Sequence, residues 1–252
     1  AGETLLSAQE KIDRFMNAQF IDCLGKPFDA EHDIMADCLT VNAYYNPGSN
    51  SMHIIGGILG GAFYDPARSR SENLGAIGVV IGHEISHAFD SNGALYDRDG
   101  NLNDWWTEAD YAAFSARNDR MADYFSGIEY DAEGRTYNGQ MMSGECNADL
   151  TGVKAAYGVA SQAEDFDAKA FFESYAHMWC GVILKSRADS LLVGDVHAPL
   201  HVRVNGVLQQ FAEFMETYDI KPGDGMYRAP EDSVVIWSCL FIQPMPVNRK
   251  IG

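Results

Sequence analysis

The sequence has little of several features that would place it in a specialised class of protein. Its five cysteines include no C-x-x-C pair, which argues against a disulfide framework or a cysteine zinc site. No run of about 18 apolar residues is present, so no membrane-spanning helix is predicted. A net charge of −18, from 18 lysines and arginines against 36 aspartates and glutamates, disfavours binding to nucleic acid or to an anionic membrane. These absences indicate a globular protein, and the cysteine usage indicates a reducing compartment.

The 252 residues are enough for one large domain or two small ones. Two stretches rich in β-branched and aromatic residues, 39–45 and 52–59, predict strands, and the turn sequence Asn-Pro-Gly at 46–48 lies between them. The segment 92–104 is rich in turn residues. Apolar residues at helical spacing predict helices elsewhere, over about 5–24, 73–90, 107–125, 143–160, 167–188 and 204–218. The predicted fold is therefore mainly α with a small mixed β-sheet, an α+β architecture.

Residues 83–87 read His-Glu-Ile-Ser-His, within the predicted helix over 73–90. Residues four apart lie on the same face of a helix, so both imidazoles can reach one metal ion. This H-E-x-x-H pattern is typical of a zinc site in which the histidines bind the metal and the glutamate acts as general base. The sequence therefore predicts one Zn²⁺ ion bound by His83 and His87, with Glu84 as the base. The alternative is that both histidines are ordinary core or surface residues.

A catalytic zinc ion needs a third protein ligand and one open position. A histidine at position 93 would mark a metzincin, but that residue is Gly93. Two glutamates at predicted helix starts compete for the role, Glu108 and Glu145. Asp149 favours Glu145, because a carboxylate one turn later can accept the outer N–H of a zinc-bound histidine. Either glutamate could instead simply complement the helix dipole, so the choice stays open on spacing alone.

Several ordered motifs resemble the neprilysin family of metalloendopeptidases, which includes endothelin-converting enzymes and bacterial oligopeptidase O. The resemblance covers most of residues 40–237 and implies a zincin-like, gluzincin-type catalytic lobe in which Glu145 is the third zinc ligand. The segments that carry it are VNAYY at 41–45, GHEISHAFD at 82–90, DWWT at 104–107, GE at 144–145, AD at 148–149, WCG at 179–181, DVHAP at 195–199, Arg203 and NGVLQ at 205–209.

The resemblance also assigns substrate-binding roles that spacing does not reveal. It implies that Asn42 and Ala43 lie on an edge strand and bind the substrate backbone, which suits the addition of an extended peptide to an open sheet edge. Val80 and Trp179 are implied to line a hydrophobic pocket for the residue after the scissile bond. Arg203 is implied to donate to a substrate carbonyl on the leaving-group side. Without the resemblance, Val80 and Trp179 would be predicted as core and Arg203 as a solvated charge.

The catalytic roles that the resemblance implies complete the site. His197 corresponds to an imidazole that stabilises the tetrahedral oxyanion, although on its own it would be an ordinary loop histidine. Asp90 and Asp149 correspond to carboxylates that hold the zinc-binding histidines, and Asp149 also counts among the catalytic residues. The implied enzyme is a zinc-dependent endopeptidase that hydrolyses oligopeptides with a metal-activated water, on the amino side of hydrophobic residues.

Two departures from the family limit this prediction. The chain carries Val-Val-Ile-Trp at 234–237 where vertebrate members have Cys-x-x-Trp, which favours the bacterial, cytoplasmic branch. A removed leading segment with a signal would instead direct the protein to the cell surface or outside the cell. The helical N-terminal lobe of the family is also absent, so residues 1–237 are predicted to form only the catalytic domain. Residues 238–252 match nothing in the family and are predicted to be a tail without an assigned role.

Three competing functions remain at this stage. The chain could be a folded metal-binding fragment that is inactive without its missing N-terminal lobe. It could be a scaffold protein with a vestigial zinc site, which chelator-sensitive cleavage of a fluorogenic peptide would exclude. It could hydrolyse a bond other than a peptide bond, although the strand over 41–45 favours an extended peptide as the partner.

Overall fold

A computed structural model of the chain describes residues 3–26, 37–234 and 236–237. The chain divides into two compact units, Ala1–Met35 and Ala36–Gly252. The predicted tail over 238–252 lies outside the described residues. The described strands and α-helices are, in chain order, α1 (Leu5–Cys23), β1 (Ala43–Asn46), β2 (Ser51–Ile54), α2 (Arg70–Asn73), α3 (Val79–Ser86), α4 (Glu108–Ser126), α5 (Ser143–Ala160), α6 (Ala168–Met178), α7 (Lys185–Gly194), α8 (Leu200–Leu208) and α9 (Ala212–Thr217).

The predicted fold class, mainly helical with a small sheet, is confirmed. Over the described residues the sheet is an antiparallel hairpin, in which Ala43 pairs with Ile54 and Asn46 with Ser51. The second strand is shorter than predicted because the chain turns into a 3₁₀ helix after Ile54. Gly57 explains the turn, since a Cβ there would lie 2.4 Å from the carbonyl oxygen of Leu39. Among the described helices, none is long and apolar enough to cross a bilayer.

Helix α1 is the described element of the first unit. Thr4 caps it, with its hydroxyl accepting from the backbone N–H of Ser7 while the Ser7 side chain caps Thr4 in return. None of its residues is buried, although large apolar side chains such as Ile12, Phe15 and Phe20 recur along it. The prediction of a helix over 5–24 is confirmed.

Helix α5 forms the centre of the second unit, and ten of its residues are buried. It packs directly against α3 because glycines meet at the crossing point. A Cβ on Gly152 of α5 would lie 2.7 Å from the carbonyl oxygen of Val79 and 2.9 Å from the backbone nitrogen of His83. A Cβ on Gly82 of α3 would likewise lie 3.0 Å from the Cα of Gly152. This close approach brings the backbone of the H-E-x-x-H helix against the middle of α5, two turns after Glu145.

We expect Gly152→Ala to destabilise the protein by about 1–3 kcal/mol, because the added methyl group must push the two helices apart. Gly158→Ala is a matched control in the same helix. A Cβ at position 158 meets no atom within 4 Å. The control should gain up to about 1 kcal/mol from helix propensity. Urea unfolding monitored by circular dichroism measures both changes. Equal effects of the two substitutions would show that the helix contact is looser than described.

Three other predicted helices differ from the structure. The segment predicted as a helix over 73–90 contains α3 but also a π-helical turn, Leu74–Gly78, and a 3₁₀ turn, His87–Phe89. The single helix predicted over 167–188 is wrong, because α6 ends before Trp179 and α7 begins only at Lys185. The helix predicted over 204–218 is also wrong, because α8 begins at Leu200 and α9 is separate from it. By contrast, the helices predicted over 107–125 and 143–160 are confirmed.

Candidate metal centre and substrate cleft

Helix α3 carries the two histidines of the H-E-x-x-H motif on one face. His83 lies within α3, and His87 directly follows its last residue. Their Nε2 atoms are 3.1 Å apart. The two rings meet at an interplanar angle of 85°. The helical spacing therefore directs both imidazoles to one point, as the sequence predicts.

Glu145, in the first turn of α5, joins the histidines. Its Oε2 lies 3.2 Å from Nε2 of His83, and its Oε1 lies 3.7 Å from Nε2 of His87. One ligand atom from each of the three residues lies within 4.8 Å of the others, and no other such group is found among the described residues. Glu108, the competing candidate, begins α4 with an exposed side chain. The geometry favours Glu145 as the third ligand.

A carboxylate holds the outer nitrogen of each histidine. Nδ1 of His83 lies 2.9 Å from Oδ1 of Asp149, and Nδ1 of His87 lies 2.7 Å from Oδ2 of Asp90. Two backbone N–H groups just after Asp90 donate to its other oxygen, at 2.8 Å each. Because a carboxylate accepts hydrogen bonds, each Nδ1 carries a proton, which leaves each Nε2 to supply a lone pair to a metal ion at the shared point.

The atoms that face this point fit a divalent cation. Oε2 of Glu145 is buried and accepts no hydrogen bond of good geometry from the residues that the structure describes. Two imidazole lone pairs and a carboxylate at these distances repel one another unless a positive charge lies between them. Two histidines and one glutamate are ligands of catalytic zinc sites. The residues present therefore fit a zinc ion, and they would hold it through His83, His87 and Glu145.

The same charges attract a proton. Burial alone would lower the pKa of His83, but its contacts with Asp149 and Glu145 outweigh burial and raise the pKa to about 9. Burial alone would raise the pKa of Glu145, yet the neighbouring His83 holds that pKa below its ordinary value. At neutral pH the metal-free site therefore holds a proton on His83, which a zinc ion must displace on binding.

Glu84 lies next to His83 on α3 and is only 6% exposed. Burial is the largest influence on its carboxyl group and raises its pKa. A raised pKa suits a group that takes up and returns a proton near neutral pH. Glu84 also lines the cleft described next, on the wall that carries the two histidines.

A cleft of about 760 Å³ lies over the metal group. Strand β1 contributes to its wall and, within the described residues, pairs with β2. The structure brings together in this cleft all six residues for which the sequence analysis expects contact with the substrate or its oxyanion. These residues are Asn42, Ala43, Val80, Trp179, His197 and Arg203.

Arg203 on α8 is buried rather than solvated, with an exposed fraction of 7%. Its Nε and Nη2 donate to the two carboxylate oxygens of Asp149 at 2.8 and 2.5 Å. Its guanidinium carbon lies 3.7 Å from the centre of the Trp179 indole ring. Asp149 is therefore shared between a zinc-binding histidine and the arginine of the cleft.

His197 lies at the cleft on the segment between α7 and α8. Its Nε2 is 3.4 Å from Oε2 of Glu145. Oδ1 of Asp195 lies 2.9 Å from Nδ1 of the imidazole and accepts the backbone N–H of His197 at 2.9 Å. Asp195 is a site residue to which the sequence analysis gives no role. The spacing Asp-x-His before a helix is the signal that could have identified it.

Comparison with known proteins identifies relatives of this chain. Residues 42–234 match the family model described as Peptidase family M13. The neutral endopeptidase of Lactococcus lactis subsp. lactis (strain IL1403) is 45% identical over 197 residues, which are 78% of this chain and 31% of that protein. Endothelin-converting enzyme 1 of Homo sapiens is 36% identical over 210 residues, or 78% of this chain and 27% of that protein. The chain thus spans less than a third of these relatives.

Two solved structures share the fold. The crystal structure of PepO from Lactobacillus rhamnosis HN001 aligns with a TM-score of 0.83 and 39% identity, over 93% of this chain and 37% of that one. An inhibitor complex of a Mycobacterium tuberculosis zinc metalloprotease aligns with a TM-score of 0.81 and 31% identity, over 88% of this chain and 36% of that one.

Proposed function

This chain belongs to peptidase family M13, and on that premise we propose that it is the catalytic part of a zinc-dependent endopeptidase that hydrolyses oligopeptides. The observation that carries the proposal is the convergence of His83, His87 and Glu145 in a cleft whose wall includes strand β1. A carboxylate on the outer nitrogen of each histidine supports a zinc ligand role over a core role.

In the proposed mechanism, the substrate backbone hydrogen-bonds to Asn42 and Ala43, at the start of β1. The side chain after the scissile bond enters the hydrophobic wall formed by Val80 and Trp179, which favours cleavage on the amino side of hydrophobic residues. Arg203 donates to a substrate carbonyl on the leaving-group side. Its orientation is fixed by Asp149 and by stacking on Trp179.

A bound zinc ion would lower the pKa of a water molecule towards about 7 and polarise the scissile carbonyl. Glu84 takes the proton of the attacking water at its carboxylate and returns it to the leaving amine. His197, held by Asp195 through Nδ1, donates from Nε2 to the developing oxyanion, where preorganised donors have their greatest effect. Asp149 and Asp90 keep the histidine rings in place throughout.

The remaining elements of the proposal concern the whole protein. Because the chain spans 31% of the Lactococcus relative, we propose that a further lobe of the same polypeptide completes the substrate cavity. The same partial coverage supports the alternative function, in which the chain is a folded zinc-binding fragment without activity of its own. Free thiols at Cys23, Cys38, Cys146 and Cys180 support a reducing, cytoplasmic compartment of a bacterium.

We expect Glu145→Gln to lose its zinc on dialysis at pH 7 and to lose peptide cleavage with it, because an amide supplies no negative charge to the ion. Glu108→Gln is the matched control, since Glu108 also lies at a helix start but carries an exposed side chain. Atomic absorption measures the metal, and a fluorogenic peptide with and without a chelator measures activity.

Zinc content tests the ligand assignment, and chelator-sensitive cleavage distinguishes an active peptidase from an inactive fragment. Zinc loss from Glu108→Gln but not from Glu145→Gln would overturn the ligand assignment. Zinc binding in the unmodified chain without chelator-sensitive cleavage would favour the inactive fragment over the peptidase.

A further inference from the structure

A second cavity of about 530 Å³ adjoins the cleft and shares Tyr45 with it. Its walls carry four aromatic rings and two carboxylates that the proposed mechanism does not use. The aromatic residues are Tyr45, Phe89, Tyr96 and Trp105, and the acidic ones are Asp97 and Asp99. We refer to it as the aromatic–acidic pocket.

Local hydrogen bonds build this pocket in advance of any ligand. The Trp105 indole N–H donates to the carbonyl oxygen of Tyr96 at 2.8 Å. The Tyr45 hydroxyl donates to Oδ1 of Asn50 at 2.8 Å. Oδ1 of Asp97 accepts from the backbone N–H of Asp99 at 2.9 Å, which fixes the turn that carries both carboxylates. A preformed site loses little conformational freedom when it binds a ligand.

The chemistry of the walls suits an organic cation. Aromatic faces attract ammonium and guanidinium groups, and neighbouring carboxylates add Coulomb attraction. Among the described residues, Arg98 is the only cationic side chain on the walls; its side chain is 89% exposed and its Nε lies 3.7 Å from Oδ1 of Asp99. An ion pair at that exposure contributes little, so Arg98 does not neutralise the negative charge of the pocket.

The position of the pocket relates it to one side of the scissile bond. Val80 lies in α3 before His83, and Phe89 ends the 3₁₀ turn that follows α3, so the two residues flank the metal-ligand histidines along the chain. Val80 belongs to the wall proposed for the residue after the scissile bond. The pocket at Phe89 therefore lies towards the residues before that bond, where Tyr45 ends the part of β1 that lines the cleft.

We propose that the aromatic–acidic pocket is a subsite for a positively charged group of the peptide substrate, a few residues before the scissile bond. The cation is either a lysine or arginine side chain or the N-terminal ammonium of a short peptide. The inference rests on the proposed function for the direction of the peptide but assigns the pocket a selectivity of its own.

The test measures binding of peptides to the full chain, loaded with zinc and carrying Glu84→Gln so that no peptide is cleaved. The probes are alanine-based peptides with one phenylalanine after the scissile bond and fluorescein at the C-terminus. Lysine or norleucine occupies the second, third or fourth residue before that bond, and each peptide is made with a free or acetylated N-terminus. Fluorescence anisotropy at fixed low salt gives Kd.

We expect lysine to bind about tenfold more tightly than norleucine at one of these positions, or a free N-terminus to bind about tenfold more tightly than an acetylated one. The first result identifies a side chain as the source of the cation, and the second identifies the ammonium. Asp99→Asn and Trp105→Leu should each reduce the preference several-fold. Asp119→Asn, which neutralises an exposed acid on α4, should leave it unchanged.

Equal Kd values for charged and neutral peptides at every position would overturn the proposal. So would a preference that survives both Asp99→Asn and Trp105→Leu, and so would the absence of binding by every probe. Hydrolysis by the unmodified chain is measured separately. A cation preference without hydrolysis would count against the proposed enzyme and not against the pocket. Hydrolysis without a cation preference would count against the pocket and not against the enzyme.

Discussion

Glu84→Gln is expected to keep its zinc and to lower kcat for peptide hydrolysis by about 10³–10⁴-fold. Glutamine has the shape of glutamate but cannot accept the proton of the attacking water or return it to the leaving amine. Glu84 is not among the three grouped ligand candidates, so the metal should remain. Steady-state kinetics on a fluorogenic peptide, with zinc content measured on the same samples, provides the test.

The unmodified chain and Glu108→Gln serve as the controls for this comparison. Glu108→Gln removes the same charge from an exposed helix start and should retain full turnover. A Glu84→Gln protein that binds zinc and turns over at the unmodified rate would exclude Glu84 as the base. A Glu84→Gln protein without zinc would instead place Glu84 among the residues that hold the metal.

The parts of the site that the sequence predicted are those that depend on local geometry. Helix α4, predicted over 107–125, begins directly after Thr107, because the hydroxyl of Thr107 accepts from the backbone N–H of Asp110 in a capping box. The helical repeat is equally local, and it places His83 and His87 on one face wherever α3 lies in the fold. Both features need only neighbouring residues, so a single sequence is enough to reveal them.

The third ligand depended on a contact between distant parts of the chain. Spacing left Glu108 and Glu145 open, because each lies at a helix start. The structure separates them through the glycine contact between α3 and α5, which brings the first turn of α5 to the histidines. Sequence periodicity does not reveal a contact between distant helices, so the choice of Glu145 came from the family resemblance.

Where tertiary contacts override helix periodicity, the sequence prediction failed. The segment 179–184 is almost wholly apolar and was predicted as part of one helix, yet the chain leaves the helix at Trp179, whose ring stacks on the guanidinium of Arg203. A Cβ at Gly181 would lie 2.7 Å from Cδ1 of Leu200, so only a glycine fits the turn without rearrangement of that side chain. After the end of α8, the Gln210 carbonyl oxygen accepts from the Ser233 hydroxyl, and the Gln210 side chain accepts from the backbone N–H of Val234, instead of a helix continuing.

We expect Asp149→Leu to destabilise the metal-free protein by about 3–5 kcal/mol, because it leaves Arg203 buried without a partner. Asp149 is 2% exposed and accepts two hydrogen bonds from Arg203. Glu173→Leu is the control for loss of a carboxylate, since Glu173 pairs with Lys169 at 3.9 Å on an exposed helix face, and it should change stability little. Urea unfolding in the presence of a chelator measures both.

The double variant Asp149→Leu with Arg203→Met separates the cost of a stranded charge from the loss of a useful contact. Replacing both charges with apolar groups should recover most of the stability, because no unpaired ion remains in the core. Even so, zinc affinity should stay reduced about 10–100-fold, since the outer nitrogen of His83 has lost its carboxylate. A double variant as unstable as Asp149→Leu would show that packing, and not the buried charge, sets the cost.

The pH dependence of the free energy of unfolding tests the charge of Asp149 in its contact with Arg203. Burial alone would raise the pKa of Asp149, but the charge of Arg203 and the hydrogen bond from His83 outweigh burial and hold the pKa below its ordinary value. A carboxyl group whose pKa is lowered by folding contributes stability above its unfolded pKa of about 3.9 and loses that contribution as the pH falls further. The stability advantage of the unmodified chain over Asp149→Leu should therefore shrink below about pH 4, and it should also decline as the pH rises from about 6.5 towards about 9, because Asp149 raises the pKa of His83. An advantage that does not change down to the acid unfolding of the protein would mean that Asp149 stabilises the fold without its charge.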